Sequence, residues 1–97
     1  MSQIAEERLS PKVAVEKAFE HFKLLFSGQG VRHLLLEGIR FDEGRECWEV
    51  TVGFDIGRER KVGGQLAFLN EEREPIREFR VIRINAVDGS FIELDHE

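Results

Sequence analysis

The stretch from Glu46 to Ile56, ECWEVTVGFDI, limits the possible fold more than any other part of the chain. Large apolar residues occupy every second position, which is the pattern of a β-strand because successive side chains of a strand point to opposite faces. We therefore expect this strand to place one face on a core. The core face carries Trp48, Val50, Val52, Phe54 and Ile56. The other face, predicted to lie in solvent, carries Cys47, Glu49, Thr51 and Asp55.

Near the start of the chain, the apolar residues follow the period of a helix rather than that of a strand. Ser10 followed by Pro11 is typical of a helix start, since serine caps the first turn and proline needs no N–H there. Apolar residues then recur at the spacing of one helix face, which predicts an amphipathic helix from Pro11 to about Phe26. Gly28, in the sequence SGQG, is expected to end it. The apolar helix positions are Val15, Ala18, Phe19, Phe22, Leu25 and Phe26.

Three further strands are predicted, at 31–41, 77–85 and 90–94. In the first, simple alternation puts Leu35, Ile39 and Phe41 on one side. The same alternation puts Leu34, Leu36 and Arg40 on the other side. Gly38 is a candidate bulge position in this strand.

The predicted fold class is α+β, with one N-terminal amphipathic helix packed on a curved antiparallel sheet of four or five strands. Residues 1–97 fit a single domain, and 41% hydrophobic residues can build one modest core. Residues 1–9 are expected to fray. Residues 57–76 are predicted to form a long hairpin extension, or a loop with a short element of its own.

Charge and cysteine content limit the compartment and the partners. Charged residues make up 34% of the chain with a net charge of −5, which argues against binding to nucleic acid or to an anionic membrane. No apolar run approaches the ~20 residues of a membrane span. Cys47 is the one cysteine, and the first ten residues lack a secretion signal. These features predict a cytoplasmic protein, unless a leader has been removed.

The order of these elements resembles small PepSY-like domains, and especially a group of small uncharacterised bacterial proteins. The residues that carry the resemblance are Trp48 to Phe54, WEVTVGF, and Phe79 to Ile92, FRVIRINAVDGSFI. Asn85 stands where such relatives usually have aspartate, Asp88 stands where threonine is usual, and Gly89 is kept. The resemblance implies a cystatin/PepSY-like fold and a binding or inhibitory module, in some relatives directed at peptidases. It implies no catalytic residues.

The sequence INAVDGSFIEL, Ile84 to Leu94, raises the question of a calcium loop. Its oxygen ligands are too few and wrongly spaced, whereas Asp88-Gly89 between two apolar runs predicts a hairpin turn. Cys47 is a candidate nucleophile only with a nearby histidine base, from His21, His33 or His96. These scattered histidines do not predict a metal site, and we expect no cofactor.

Acidic and basic residues on the strands have a structural explanation. We expect the carboxylates of Glu37, Glu49 and Asp55 to pair across strands with Arg40, Arg80 and Arg83 rather than to act as acid and base. The basic sequence GRERK at 57–61 matches no phosphate-binding motif, so a solvated hairpin tip is predicted there.

Two function classes remain open. The first is a non-enzymatic interaction module for an unknown protein partner, including a second copy of the chain, because one helix cannot cover both faces of a sheet. The second is a small-ligand-binding protein or enzyme with a cavity between helix and sheet. The inward positions are almost all apolar, which favours the first. The candidate interaction surface comprises Leu34, Leu36, Arg58, Arg60, Lys61, Leu66, Phe68 and Leu69.

Overall fold

The structure, a computed structural model, describes residues 8–61 and 73–96. Helix α1 is followed by four strands, which form one antiparallel sheet in the order β1-β2-β3-β4. The predicted α+β class with a four-stranded antiparallel sheet is therefore confirmed for the described residues. The elements are α1 (Pro11–Leu25), β1 (Arg32–Asp42), β2 (Cys47–Lys61), β3 (Arg73–Asn85) and β4 (Phe91–His96).

Helix α1 begins and ends as its sequence predicts. The Ser10 hydroxyl accepts a hydrogen bond from the Val13 N–H at 3.3 Å, and Pro11 occupies the first helical position. After Leu25 the chain turns, and Gly28 adopts a φ of 81° that a glycine takes without steric cost. In residues 8–61 and 73–96, no helix is long and apolar enough to cross a membrane.

The core lies between α1 and the central strands. Phe22 is the largest buried side chain of the helix, and its ring stacks on Phe26 at 4.3 Å and meets Phe54 of β2 at 4.9 Å. Burying a side chain of this size stabilises the fold by roughly 1.5–3 kcal/mol before conformational entropy is subtracted. The other core members are Ala14, Ala18, Trp48, Val50, Val52, Ile82, Ile84 and Ala86.

Strand β1 contains two register shifts against β2, one between Arg32 and Leu35 and one between Leu36 and Gly38. The second shift confirms the bulge predicted at the glycine. Each shift changes which face the following residues occupy. Leu36 therefore lies opposite the buried Val52, on the helix side of the sheet.

The predicted sides of β1 are corrected by this register. Ile39 and Phe41 lie opposite Val50 and Trp48, so they share the helix side with Leu36. Leu34 also packs against the core. The separation of Leu34 and Leu36 from Ile39 was wrong, because simple alternation holds only along an unbulged strand.

Strands β2 and β3 stay paired as far as Lys61 and Arg73. These paired ends fall within the 57–76 segment, for which a hairpin extension or a loop was predicted. The remainder of the segment, with Leu66, Phe68 and Leu69, lies outside the described residues.

Arg8 and Leu9, the described residues of the terminus that was predicted to fray, contact the sheet. The Leu9 N–H donates to the Ala86 carbonyl at 2.7 Å, and the Trp48 indole donates to the Leu9 carbonyl at 3.2 Å. The Arg8 guanidinium lies 4.1 Å from the centre of the Phe41 ring, a cation–π contact. Residues 1–7 lie outside the described part of the chain, so the fraying of residues 1–9 stays a prediction.

Candidate functional site

The Asp88-Gly89 sequence is a turn. The Asn85 side-chain oxygen accepts from the N–H groups of Val87 (2.7 Å) and Asp88 (3.0 Å), and the Asp88 carboxylate accepts from the Ser90 N–H at 2.8 Å. Hydrogen bonds from Ser90 lower the pKa of Asp88. Gly89 has a φ of 75°. The oxygens that a cation would need are used to fold the turn, so the turn prediction is confirmed.

Cys47 has no histidine base beside it. The thiol is buried, and burial raises its pKa, which disfavours a thiolate. The His21 ring bonds the Gly89 carbonyl at 2.8 Å, and the His33 ring bonds Asp55 at 2.6 Å. Asp55 lies eight residues along β2 from Cys47, which is about 26 Å in an extended strand. His96 of β4 lies opposite Arg80, whereas Cys47 lies opposite Asn85 at the other end of that pairing.

Asp42, Cys47 and Glu49 bring three possible metal-ligand atoms within 4.8 Å of one another. Glu49, however, accepts hydrogen bonds on both carboxylate oxygens, from Arg40 at 2.7 Å and from Arg83 at 3.0 Å. The Asp42 side chain accepts from two backbone N–H groups of its own turn. With its carboxylates already bound and its thiol pKa raised, this trio does not fit a metal ion.

The face of β2 that points away from the helix is covered, although it was predicted to lie in solvent. Glu49 is only 7% exposed because β1 and β3 flank it and the side chains of Arg40 and Arg83 lie over it. These arginines hold the pKa of Glu49 below its usual range, the hydrogen bond from Arg40 having the largest effect. The predicted pairing of Glu49 with Arg40 and Arg83 is confirmed.

A second buried carboxylate, Asp55, lies towards the other end of β2. It is 1% exposed and accepts hydrogen bonds from His33 Nδ1 (2.6 Å), Arg32 Nε (3.3 Å) and the Gly57 N–H (3.1 Å). The His33 bond is the main cause of a lowered pKa for Asp55. Arg80, predicted as a cross-strand partner of one of the three carboxylates, instead pairs with Glu78 of its own strand at 3.1 Å.

His33 has an uncommon backbone conformation. Its φ of 56° lies in the left-handed region, which costs a residue with a Cβ about 1–2 kcal/mol. It falls within the first register shift of β1, where its ring reaches Asp55. Strand alternation alone could not predict this contact, since it depends on an irregularity with no glycine to mark it.

One apolar surface remains at the edge strand, and we name it the β1 edge patch: Leu35, Leu36 and Phe79. Leu35 and Phe79 lie opposite Gly53 from its two sides on the face away from the helix, and they are 56% and 36% exposed. Leu36 is 45% exposed on the helix side of the same edge. An ion pair of 3.4 Å joins Glu37 and Arg77 between Leu35 and Phe79.

Gly53 has no side chain and so leaves room above β2 for the Glu37–Arg77 ion pair. A Cβ there would come within 2.7 Å of both the Arg77 guanidinium and the Glu37 carboxylate. The ion pair therefore lies directly over the central strand, between two exposed apolar side chains.

A groove of about 420 Å³ lies between the C-terminal end of α1 and the start of β1, and we name it the α1–β1 groove. Its apolar lining is formed by Phe22, Phe26, Val31 and Leu34. Lys23 and His33 are the polar residues that line it, and the loop with Gly28 and Gly30 completes it.

The structure separates the residues of the predicted interaction surface. Leu34 lines the α1–β1 groove and Leu36 belongs to the β1 edge patch. Arg58, Arg60 and Lys61 lie in the distal part of β2. Leu66, Phe68 and Leu69 are outside the described residues, so the surface as a whole stays a prediction.

Comparison of the chain with protein-family models, with curated proteins and with solved structures found no match.

Proposed function

We propose that this chain is a non-enzymatic binding module that docks a partner protein on the β1 edge patch. The observation that carries the proposal is the exposure of Leu35 and Phe79 on the outer face, with Leu36 exposed on the helix side of β1. On the outer face, ion pairs cover Glu49 and Asp55. Exposed apolar side chains beside charged groups are typical of a protein-interaction site.

The backbone of β1 favours contact through side chains over the addition of another strand. An unpaired edge strand can accept another strand, but the two register shifts of β1 lie on either side of Leu35 and Leu36 and interrupt its hydrogen-bonding pattern. Leu35, Leu36 and Phe79 form a smaller surface than the roughly 1,000 Å² of a stable interface, so we expect a transient complex.

The resemblance to PepSY-like domains supports the same class of function. We propose a cystatin/PepSY-like arrangement of the helix and the sheet, with an inhibitory or regulatory partner interaction in a cytoplasmic setting. Asp88 and Gly89 fold the turn between the last two strands in this proposal and have no chemical role.

The second candidate function is small-ligand binding between helix and sheet. The α1–β1 groove favours it, because its volume of about 420 Å³ lies in the range of small-molecule sites. No nucleophile paired with a base is found among the described residues, so we do not extend this candidate to catalysis.

The test is a pull-down that compares the proteins retained by three forms of this chain: the wild type, Leu35→Asp and Leu24→Asp. Leu24 is 76% exposed on α1 and supplies a matched control, since the same charge enters outside the patch. We expect one protein, identified by mass spectrometry, to be retained by the wild type and by Leu24→Asp and lost by Leu35→Asp. Sedimentation of each pure form shows whether that protein is a second copy of the chain.

The folding of each variant is checked by its thermal unfolding. If folded Leu35→Asp retains the same proteins as the wild type, the patch is not the docking surface. If the wild type is a monomer and retains nothing that Leu35→Asp loses, the interaction function is wrong.

A further inference from the structure

We propose that the α1–β1 groove binds a small molecule with an apolar body and one carboxylate group. The groove lies on the helix side of the sheet, whereas Leu35 of the β1 edge patch lies on the opposite side. The inference therefore rests on the second candidate function, small-ligand binding in this groove, and does not depend on the proposed protein partner.

The apolar part of the ligand is defined by the groove lining. Phe22 and Phe26 stack at 4.3 Å and both contact the Phe54 ring, which fixes their orientation. Val31 and Leu34 face them from the β1 side of the groove. An aliphatic chain or a single ring placed here would be removed from water, which favours binding.

The charged part of the ligand is defined by Lys23. This residue lines the groove and has no carboxylate partner among the described residues, and the described groove lining contains no acidic side chain. Lys23 also lies in the last turn of α1, where its positive charge complements the helix dipole. An uncharged residue at this position would lose that stabilising effect as well. A carboxylate in a partly apolar groove would be attracted by this cation.

His33 supplies the second polar contact. Its Nδ1–H donates to the buried Asp55, so the other ring nitrogen, Nε2, can donate to a ligand carboxylate when it also carries a proton. Asp55 is itself bound by Arg32, so its negative charge is compensated. Residues kept in the left-handed region cluster at ligand-binding positions, where the surrounding structure holds a strained residue in place.

The probe is octanoate, with octan-1-ol as the uncharged molecule of the same chain length. We expect octanoate to bind with a dissociation constant of about 1 mM, the affinity reached by roughly ten non-hydrogen atoms at moderate ligand efficiency. Octan-1-ol is expected to bind about tenfold more weakly. Amide ¹H–¹⁵N spectra locate the site, with the largest octanoate-induced shifts expected in residues 28–34.

Two variants assign the charge recognition. Lys23→Gln should reduce the preference for octanoate over octan-1-ol at least fivefold, and His33→Asn, whose side chain tolerates a positive φ, should reduce it about threefold. Lys12→Gln makes the same charge change in the first turn of α1 and should leave the preference unaltered.

Three results would overturn the inference. The first is octan-1-ol binding as tightly as octanoate. The second is an unchanged preference in Lys23→Gln. The third is octanoate causing no shifts in residues 28–34 at about 20 mM, a concentration well above the expected dissociation constant.

Discussion

Glu49 and Arg83 lie directly opposite each other on β2 and β3, and a hydrogen bond of 3.0 Å joins their side chains on the face of the sheet away from the helix, where Glu49 is buried. Arg40 approaches Glu49 from the opposite strand at 2.7 Å. A carboxylate that lies between two guanidinium groups and is covered by them is a structural element of the sheet.

Replacing Glu49 with alanine is expected to lower the free energy of unfolding by roughly 1–3 kcal/mol, because Arg83 would lose its best-buried partner. Urea denaturation monitored by Trp48 fluorescence measures the change. Glu93→Ala is the matched control, since Glu93 also bonds Arg83 but is 41% exposed. A loss for Glu93→Ala as large as for Glu49→Ala would contradict the assignment.

Stability should decrease in acid. The pKa values of Glu49 and Asp55 are both lowered in the folded protein, Glu49 by its arginines and Asp55 mainly by His33. Their ionised forms therefore stabilise the fold at neutral pH. This contribution starts to be lost as the pH falls below about 4, through the unfolded-state values and then the lower folded-state values.

The pH dependence is measured from urea midpoints between about pH 7 and about pH 3. Asp55→Asn removes one of the two groups, so its midpoint should vary less with pH than that of the wild type. An equal dependence in both proteins would show that the ionisation of Asp55 is not linked to folding.

Gly89→Val is expected to destabilise the protein by about 1–3 kcal/mol. The position has a φ of 75°, and a Cβ would lie 3.0 Å from Lys17 Cγ and 3.2 Å from Leu9 Cδ1. Asp88→Asn keeps the side-chain oxygen that accepts from Ser90, so its thermal midpoint should stay within about 2 °C of the wild type.

Gly44→Ala is the control for the substitution at Gly89, because a Cβ at position 44 would make only an ordinary contact at 3.5 Å. If Asp88→Asn removed binding while the protein stayed folded, the turn would have a functional role that hydrogen bonding does not explain.

At position 33, glycine should be more stable than alanine by roughly 1 kcal/mol. Both replacements remove the bond to Asp55, and they differ in the cost that a Cβ adds at a φ of 56°. Guanidinium denaturation of His33→Gly and His33→Ala measures the difference. At Leu35, which has an ordinary strand conformation, the alanine variant should be more stable than the glycine variant. If the glycine variant were more stable at both positions, the left-handed conformation of His33 would be contradicted.

The sequence was sufficient for the parts of the fold that follow a regular period. Helix α1 and the core face of β2 were predicted because their apolar spacing is uninterrupted. The side of β1 occupied by Leu36 was not, since each bulge reverses the alternation and only the one at Gly38 has a sequence signal.

The cover over the far face of β2 could not be predicted either. Alternation shows that Glu49 and Asp55 share a face, but it contains no information on which neighbouring side chains lie over them. That depends on the register of β1 and β3, which places Arg40 and Arg83 beside Glu49 and brings His33 to Asp55.

The hydrogen bond from Leu9 to Ala86 has a consequence for biosynthesis. Leu9, two residues before α1, is bound to the turn between β3 and β4, which comes much later in the chain. During synthesis the helix therefore exists long before the strand and turn that hold its N-terminal end. We infer that the packing of Phe22 and its neighbours is completed only once β3 and the turn after it have left the ribosome.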